Sequence, residues 1–221
     1  MTGVLALVGG SEWTEGCTFD RDLLAASGNA EVLVLPTAAA YEHPERAVAN
    51  ASAWFASLGG SARGLMVLAR PDAENEANAE QVRAARFVYL CGGSPLHLRS
   101  VLKDSAVWDA IVGAFTAGAV VAGSSAGAMA LCDPMVDPRG GAFTLGLGLF
   151  EQLAIIPHHN TWSVDKEHRT LSLAPKGLPI VGIDEATALI RAVDGSWSAT
   201  GAGDVQVFVD GKDAGLTALP R

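Results

Sequence analysis

Short apolar runs that alternate with helical stretches restrict this chain to few folds. Residues 4–8 form such a run and stop at Gly9-Gly10; residues 32–35 form another and stop at Pro36-Thr37, ahead of a helical stretch over 44–58. Residues 64–69 and 87–90 supply two more, with an Ala-rich helix over 73–84 between them, and a helix over 108–116 leads to a strand at 119–122. Runs this short and this apolar are buried on both faces, as parallel strands between helix layers are. The pattern predicts an α/β fold: a doubly wound, mostly parallel sheet with flanking helices. The last third reads differently. Residues 180–183, 188–192 and 205–209 are strand-like, with Asp194-Gly195 and Asp210-Gly211 as turn signals, which predicts an antiparallel C-terminal hairpin at the edge of a single mixed sheet. No linker or repeat divides the chain, so residues 1–221 are expected to form a single domain.

With 49% hydrophobic and 18% charged residues, the chain carries enough apolar surface for a core of that kind. A formal net charge of -9 disfavours both a phosphate-neutralising surface and adhesion to an anionic bilayer, so neither nucleic acid nor a membrane is an expected partner. A neutral or cationic small substrate fits that charge better, and a homo-oligomer is compatible with it. The first residues lack the basic flank of a signal peptide and no apolar stretch reaches membrane-spanning length, so the expected location is cytoplasmic. Cys17, Cys91 and Cys132 are odd in number and lack the paired spacing of a zinc or redox site. They read as packed thiols, and no metal or cofactor is expected.

Gly123-Ser124-Ser125-Ala126-Gly127 fits G-x-S-x-G between a strand and a small-residue helix over 126–131, the setting in which a serine is held up on a tight turn. The glycines keep side chains away where the helix crosses a neighbouring strand. Ser125 is the candidate nucleophile, and the N–H of Ala126, free at the helix start, is placed to meet a developing oxyanion. A tight βα turn that cradles phosphate would favour the same small residues and is the competing reading. A serine nucleophile needs a base. Of five histidines, His43 and His168 lie in polar stretches and His97 follows a Gly-rich turn. His158 and His159 follow the apolar strand 153–156, at the strand end where α/β proteins bind ligands. A carboxylate should orient the imidazole. Asp133 and Asp137 lie between nucleophile and base; each precedes a proline and could simply start a turn, and Asp137 is the preferred acid. A conventional α/β-hydrolase places its histidine last, after the acid, and nothing beyond His168 could serve, so an esterase of that fold is disfavoured.

Taken together these residues resemble the dipeptidase E and cyanophycinase group of serine peptidases, over nearly the whole chain. Gly123-Ser124-Ser125-Ala126-Gly127-Ala128 is similar to that group's Gly-Thr-Ser-Ala-Gly-Ala, with Ser125 in the nucleophile's place. Tyr89-Leu90-Cys91-Gly92-Gly93-Ser94 is similar to its aromatic-x-Gly-Gly-Gly-Asn segment, Cys91 and Ser94 being departures. The resemblance implies Gly93 as a second oxyanion donor, His158 after Pro157 as the base, and Ser94 and His159 as substrate-binding residues. Arg169 falls where relatives carry an arginine that reads an acidic amino-terminal residue. Asp184-Glu185-Ala186-Thr187-Ala188-Leu189 resembles a cyanophycinase strand opening whose acids would hold a substrate amine. The implied fold is class I glutamine amidotransferase-like, or flavodoxin-like. The implied activity is that of a cofactor-free serine-type peptidase. It would act on short peptides, dipeptides with an acidic amino-terminal residue among them, through a Ser-His-Asp triad of Ser125, His158 and Asp137. Two other functions fit the same residues: a catalytically silent binding module, suggested by Cys91 and Ser94, and an esterase or amidase using the same triad.

Overall fold

The computed structural model describes residues 2–221. The first half of the chain runs β1 (Leu5–Val8), α1 (Phe19–Ala26), β2 (Val32–Leu35), α2 (Pro44–Ser57), β3 (Ala62–Gly64), α3 (Arg70–Ala73), α4 (Glu76–Arg83), β4 (Phe87–Leu90), α5 (Pro95–Leu102), α6 (Ala106–Thr116), β5 (Val120–Ser124) and α7 (Ala126–Leu131). The second half is dominated by strands: β6 (Cys132–Asp133), β7 (Met135–Val136), β8 (Phe143–Thr144), β9 (Phe150–Glu151), β10 (Ala154–Pro157), α8 (Val164–Ser172), β11 (Ile180–Ile183), β12 (Thr187–Arg191), β13 (Trp197–Gly201), β14 (Val205–Val209) and β15 (Lys212–Asp213).

The main sheet has seven strands in the order β13-β12-β1-β5-β4-β2-β3. From β1 to β3 every neighbouring pair is parallel, and β12 and β13 extend the sheet beyond β1 by antiparallel pairing. Strand side chains alternate faces, and the alternation divides the core into two layers. Leu5, Leu7, Leu33, Leu35, Val88, Leu90 and Val121 face one of them, with Val82, Ile111 and Phe115 of the covering helices. Ala6, Val8, Val32, Val34, Phe87, Tyr89, Val120 and Ala122 face the other, with Phe19 and Leu23 of α1 and Phe55 of α2. Four consecutive apolar residues in β1, β2 and β4 are thus explained: both faces are covered. Among the described residues no helix is long and apolar enough to cross a membrane.

The expectation of one mixed sheet needs correction. β10, β11, β14 and β15 form a separate four-stranded sheet, and β6–β9 and β7–β8 are two-stranded ribbons. The separation arises because β11 pairs with β10 and β14, whereas β12, only a short crossing later, pairs with β1. The strand expected over 64–69 does not form there: β3 ends at Gly64 and residues 65–69 lie outside any strand; the helix expected over 73–84 is broken at Asn75, whose side chain accepts the Ala77 N–H and so starts α4 afresh. Helices α1, α5 and α8 lay in stretches that carried no apolar run.

Parallel β1, β5 and β4 are neighbours, so the loops leaving their carboxyl ends emerge side by side. These are Gly9 to Glu12 after β1, Ser125 after β5, and Cys91 to Ser94 after β4. The segment 184–186, crossing between the two sheets, reaches the same place.

Candidate active site

Ser125 sits at the turn from β5 into α7 with φ 48° and ψ -105°, a backbone region that non-glycine residues enter at a cost. The surroundings hold it there. Its N–H continues the parallel ladder to Val8 O at 2.9 Å, and its carbonyl accepts the Met129 N–H as the first bond of α7. Ala126 opens that helix, so its N–H has no carbonyl one turn back to bond.

His158 follows β10 in the left-handed conformation, φ 50°, which turns its ring from the second sheet toward the first. Nε2 lies 2.9 Å from Ser125 Oγ, and Nδ1 lies 2.8 Å from Glu185 Oε1. One tautomer satisfies the whole chain of contacts: Nδ1–H donates to Glu185, and Nε2 accepts from the serine hydroxyl. Glu185 stands in the crossing between β11 and β12, where its own N–H donates to Asn160 Oδ1 at 3.1 Å. The His158 and Glu185 side chains are 34% and 37% exposed, open enough for a substrate to approach.

Three successive carbonyls at the end of β1 hold this arrangement. Val8 O accepts from Ser125 N, Gly9 O from His158 N at 2.7 Å, and Gly10 O from Ala186 N at 2.8 Å. Gly10 has φ 126°, and a Cβ on it would lie 2.1 Å from His158 Cε1, so the imidazole occupies the space a side chain would need.

The preferred acid is not the one at the histidine. Asp137 is bound to Arg139, accepting from its Nε at 3.0 Å, its Nη2 at 2.9 Å and its backbone N–H at 2.9 Å. Hydrogen bonds from Arg139 hold the Asp137 carboxyl down at about 2. Asp133, the other candidate, accepts the Gly146 N–H. Both belong to the turn-rich segment after α7, which folds onto itself. Glu185 was legible as part of Asp-Glu-x-Thr-Ala-Leu, but its carboxylate meets the histidine, the place assigned to an aspartate.

The remaining expected residues divide. Gly93, φ 134°, is exposed beside the elbow and its N–H has no acceptor among the described residues. Ser94 caps α5, its Oγ accepting the His97 N–H at 3.3 Å and its N–H bonding Ala38 O. His159 is turned away from Ser125. Its Nε2 lies 2.7 Å from Glu167 Oε2 and its Nδ1 3.8 Å from Asp184 Oδ1, with 9% of the side chain exposed. Arg169 is exposed on α8, packed beside Gly141, and forms no ion pair among the described residues. His97 bonds Leu68 O, and His43 is exposed beside Glu45. All three cysteines are buried and free; burial pushes the Cys91 thiol up to about 12, too high for thiolate chemistry.

One residue near the serine had no signal in the sequence. Glu12, in the loop after β1, accepts the Gly92 N–H on Oε1 at 2.9 Å and the Ser124 hydroxyl on Oε2 at 2.8 Å. It therefore ties the Gly-rich loop to the elbow.

Comparison with known proteins gives a consistent picture. The profile of Peptidase family S51 matches residues 5–196. Cyanophycinase of Synechococcus elongatus is 27% identical over 164 residues, covering 69% of this chain and 50% of that protein. The chain thus spans about half the length of that relative. Cyanophycinase of Trichormus variabilis is 25% identical over 218 residues, covering 93% of this chain and 73% of that protein. A peptidase from an acI-B1 Actinobacterium superimposes with a TM-score of 0.86 at 30% identity, covering 97% of this chain and 93% of that one. A putative peptidase E from Listeria monocytogenes EGD-e shares the fold, with a TM-score of 0.67 at 17% identity and coverage of 95% and 99%.

Proposed function

The chain belongs to peptidase family S51, and from that premise we propose that it is a serine-type peptidase that cleaves short peptides through an acyl-enzyme on Ser125. The observation that carries this reading is the unbroken line Glu185–His158–Ser125, with contacts of 2.8 and 2.9 Å. His158 takes the Ser125 hydroxyl proton as Oγ attacks the peptide carbonyl, and Glu185 stabilises the imidazolium that results. The N–H groups of Ala126 and Gly93 receive the oxyanion. His158 then gives its proton to the leaving amine, the carbon–nitrogen bond breaks, and water, deprotonated by the same imidazole, releases the acid and restores the serine. No cofactor takes part in these steps.

The triad proposed is therefore Ser-His-Glu, with Asp137 left outside it. An acidic amino-terminal residue is not favoured as the specificity element, because Arg169 stands apart on α8 and the loop beside the nucleophile carries a carboxylate, Glu12. The test is direct. Purified protein should react with a fluorophosphonate at Ser125 and hydrolyse members of a dipeptide library, and Ser125→Ala should lose both properties while keeping its circular dichroism. Peptide turnover by the Ser125→Ala variant would remove the mechanism.

A further inference from the structure

Glu12 is a carboxylate that the triad does not use. Its two acceptor bonds come from neutral donors, and no cationic side chain pairs with it among the described residues. Each donor adjoins a reacting group: Gly92 precedes Gly93, and Ser124 precedes Ser125. The point that a Cβ on Gly92 would occupy lies 3.2 Å from Glu12 Oε1 and 3.5 Å from Ser125 Cβ, so the carboxylate and the nucleophile share one small space. A fixed negative charge there opposes the anion that forms on the substrate carbonyl. Hydrolysis at Ser125 is consistent with such a charge when the substrate brings a positive one.

Glu12 also lines a pocket suited to a cation. Glu12, Trp13 and Thr14 from the loop after β1, with Asn50, Ala53 and Trp54 from α2, line an open surface depression of about 430 Å³. Two indoles are among its lining residues, and indole rings attract cations. Both rings are fixed before any ligand arrives. Trp54 Nε1–H donates to Asp20 Oδ2 at 2.8 Å, and Trp13 packs on Tyr89 with ring centroids 5.2 Å apart. Asp20 is fully buried behind Trp54, and its Oδ1 has no hydrogen-bond partner. Burial raises the Asp20 carboxyl to about 7, the hydrogen bond from Trp54 opposing the rise and the charge of Glu12 adding to it.

We infer that Glu12 and the pocket it shares with Trp13 and Trp54 bind an alkylammonium or guanidinium group of the substrate, either the free amino terminus or a basic side chain. The inference rests on the peptidase reading for the identity of the ligand as substrate, whereas the binding itself does not require turnover.

Binding is therefore tested on Ser125→Ala protein, by the fluorescence of its tryptophans during titration with four small amides. Leucinamide carries an α-ammonium, Nα-acetyl-lysinamide a side-chain ammonium, Nα-acetyl-argininamide a guanidinium, and Nα-acetyl-leucinamide no charge. At least one cation should bind about tenfold more tightly than the neutral amide, and which one identifies the source of the charge. Adding Glu12→Gln, which keeps the side-chain shape, should reduce that preference to roughly twofold or less without weakening the neutral amide. Ala53→Lys, at an exposed position of α2, places an internal ammonium in the pocket and should abolish the preference without touching the hydrogen bonds of Glu12. Equal binding of all four amides, or a preference that survives both substitutions, overturns the inference. Cation binding by a protein that never hydrolyses peptides would instead overturn the peptidase reading alone.

Discussion

Two adjacent histidines of this protein are paired in the same way and placed to opposite ends. His158 contacts Glu185 and lies over Gly10; His159 contacts Glu167 and lies over Gly182, where a Cβ would come within 2.5 Å of its ring. Each is an imidazole on a carboxylate, seated where a glycine leaves room. The second nitrogen separates them. That of His158 meets Ser125 Oγ at 2.9 Å, whereas that of His159 points to Asp184 at 3.8 Å, in a pair that is 9% and 19% exposed. The chemistry of a histidine–carboxylate pair thus does not make a base. What separates the two rings is access to Ser125, and the backbone turn at His158 decides which ring receives it.

The contrast can be broken by substitution. His158→Ala should lower kcat by roughly 10⁴- to 10⁶-fold. His159→Ala should keep kcat within about tenfold, while leaving Glu167 without its partner and costing about 1–3 kcal/mol of stability, read as a lower Tm. Equal losses of kcat would mean that both rings serve the reaction. The carboxylates come next. Glu185→Gln should reduce kcat by about 10³- to 10⁴-fold through loss of the correct tautomer. Asp137→Asn should leave turnover within about twofold, since it removes an ion pair to the exposed Arg139 that does not touch His158. The Asp137 carboxyl is lowered in the folded protein, so the stability it adds is present above about pH 4 and fades as pH falls toward 2; the variant should lack that slope in acid unfolding. The two glycines test the same contrast through the backbone. Gly10→Ala should displace the His158 ring and cost about 10²-fold in kcat. Gly182→Ala should cost about 1–3 kcal/mol of stability and leave the turnover of folded molecules unchanged.

What the sequence revealed follows the range of the forces involved. The parallel strands were legible because burial on both faces writes an unbroken apolar run, as in Phe87–Leu90. Ser125 was legible because an elbow is a local demand for small residues. The position of His158 was legible from the strand before it. The acid was not. Glu185 lies 27 residues beyond His158 and reaches it only because β11 pairs in one sheet and β12 in another, a choice made by tertiary contacts. The stretch between Ser125 and His158 offers Asp133 and Asp137, which fold back on their own segment. Glu12 was hidden for a similar reason: nothing in a polar loop after β1 announces that it will meet Gly92, 80 residues away.

The three carbonyls at the end of β1 have a further consequence, for the order in which the molecule forms. Ser125, His158 and Ala186 hang from Val8, Gly9 and Gly10, so none of these bonds can close until segments far apart in the sequence have met. Contacts of such separation carry a large loop-closure entropy, which must be met before they reward the chain. The proposed site therefore cannot exist before β1 has met β5, β10 and the segment ahead of β12, and a nascent or partly unfolded chain, though it already carries Ser125, has no His158 beside it.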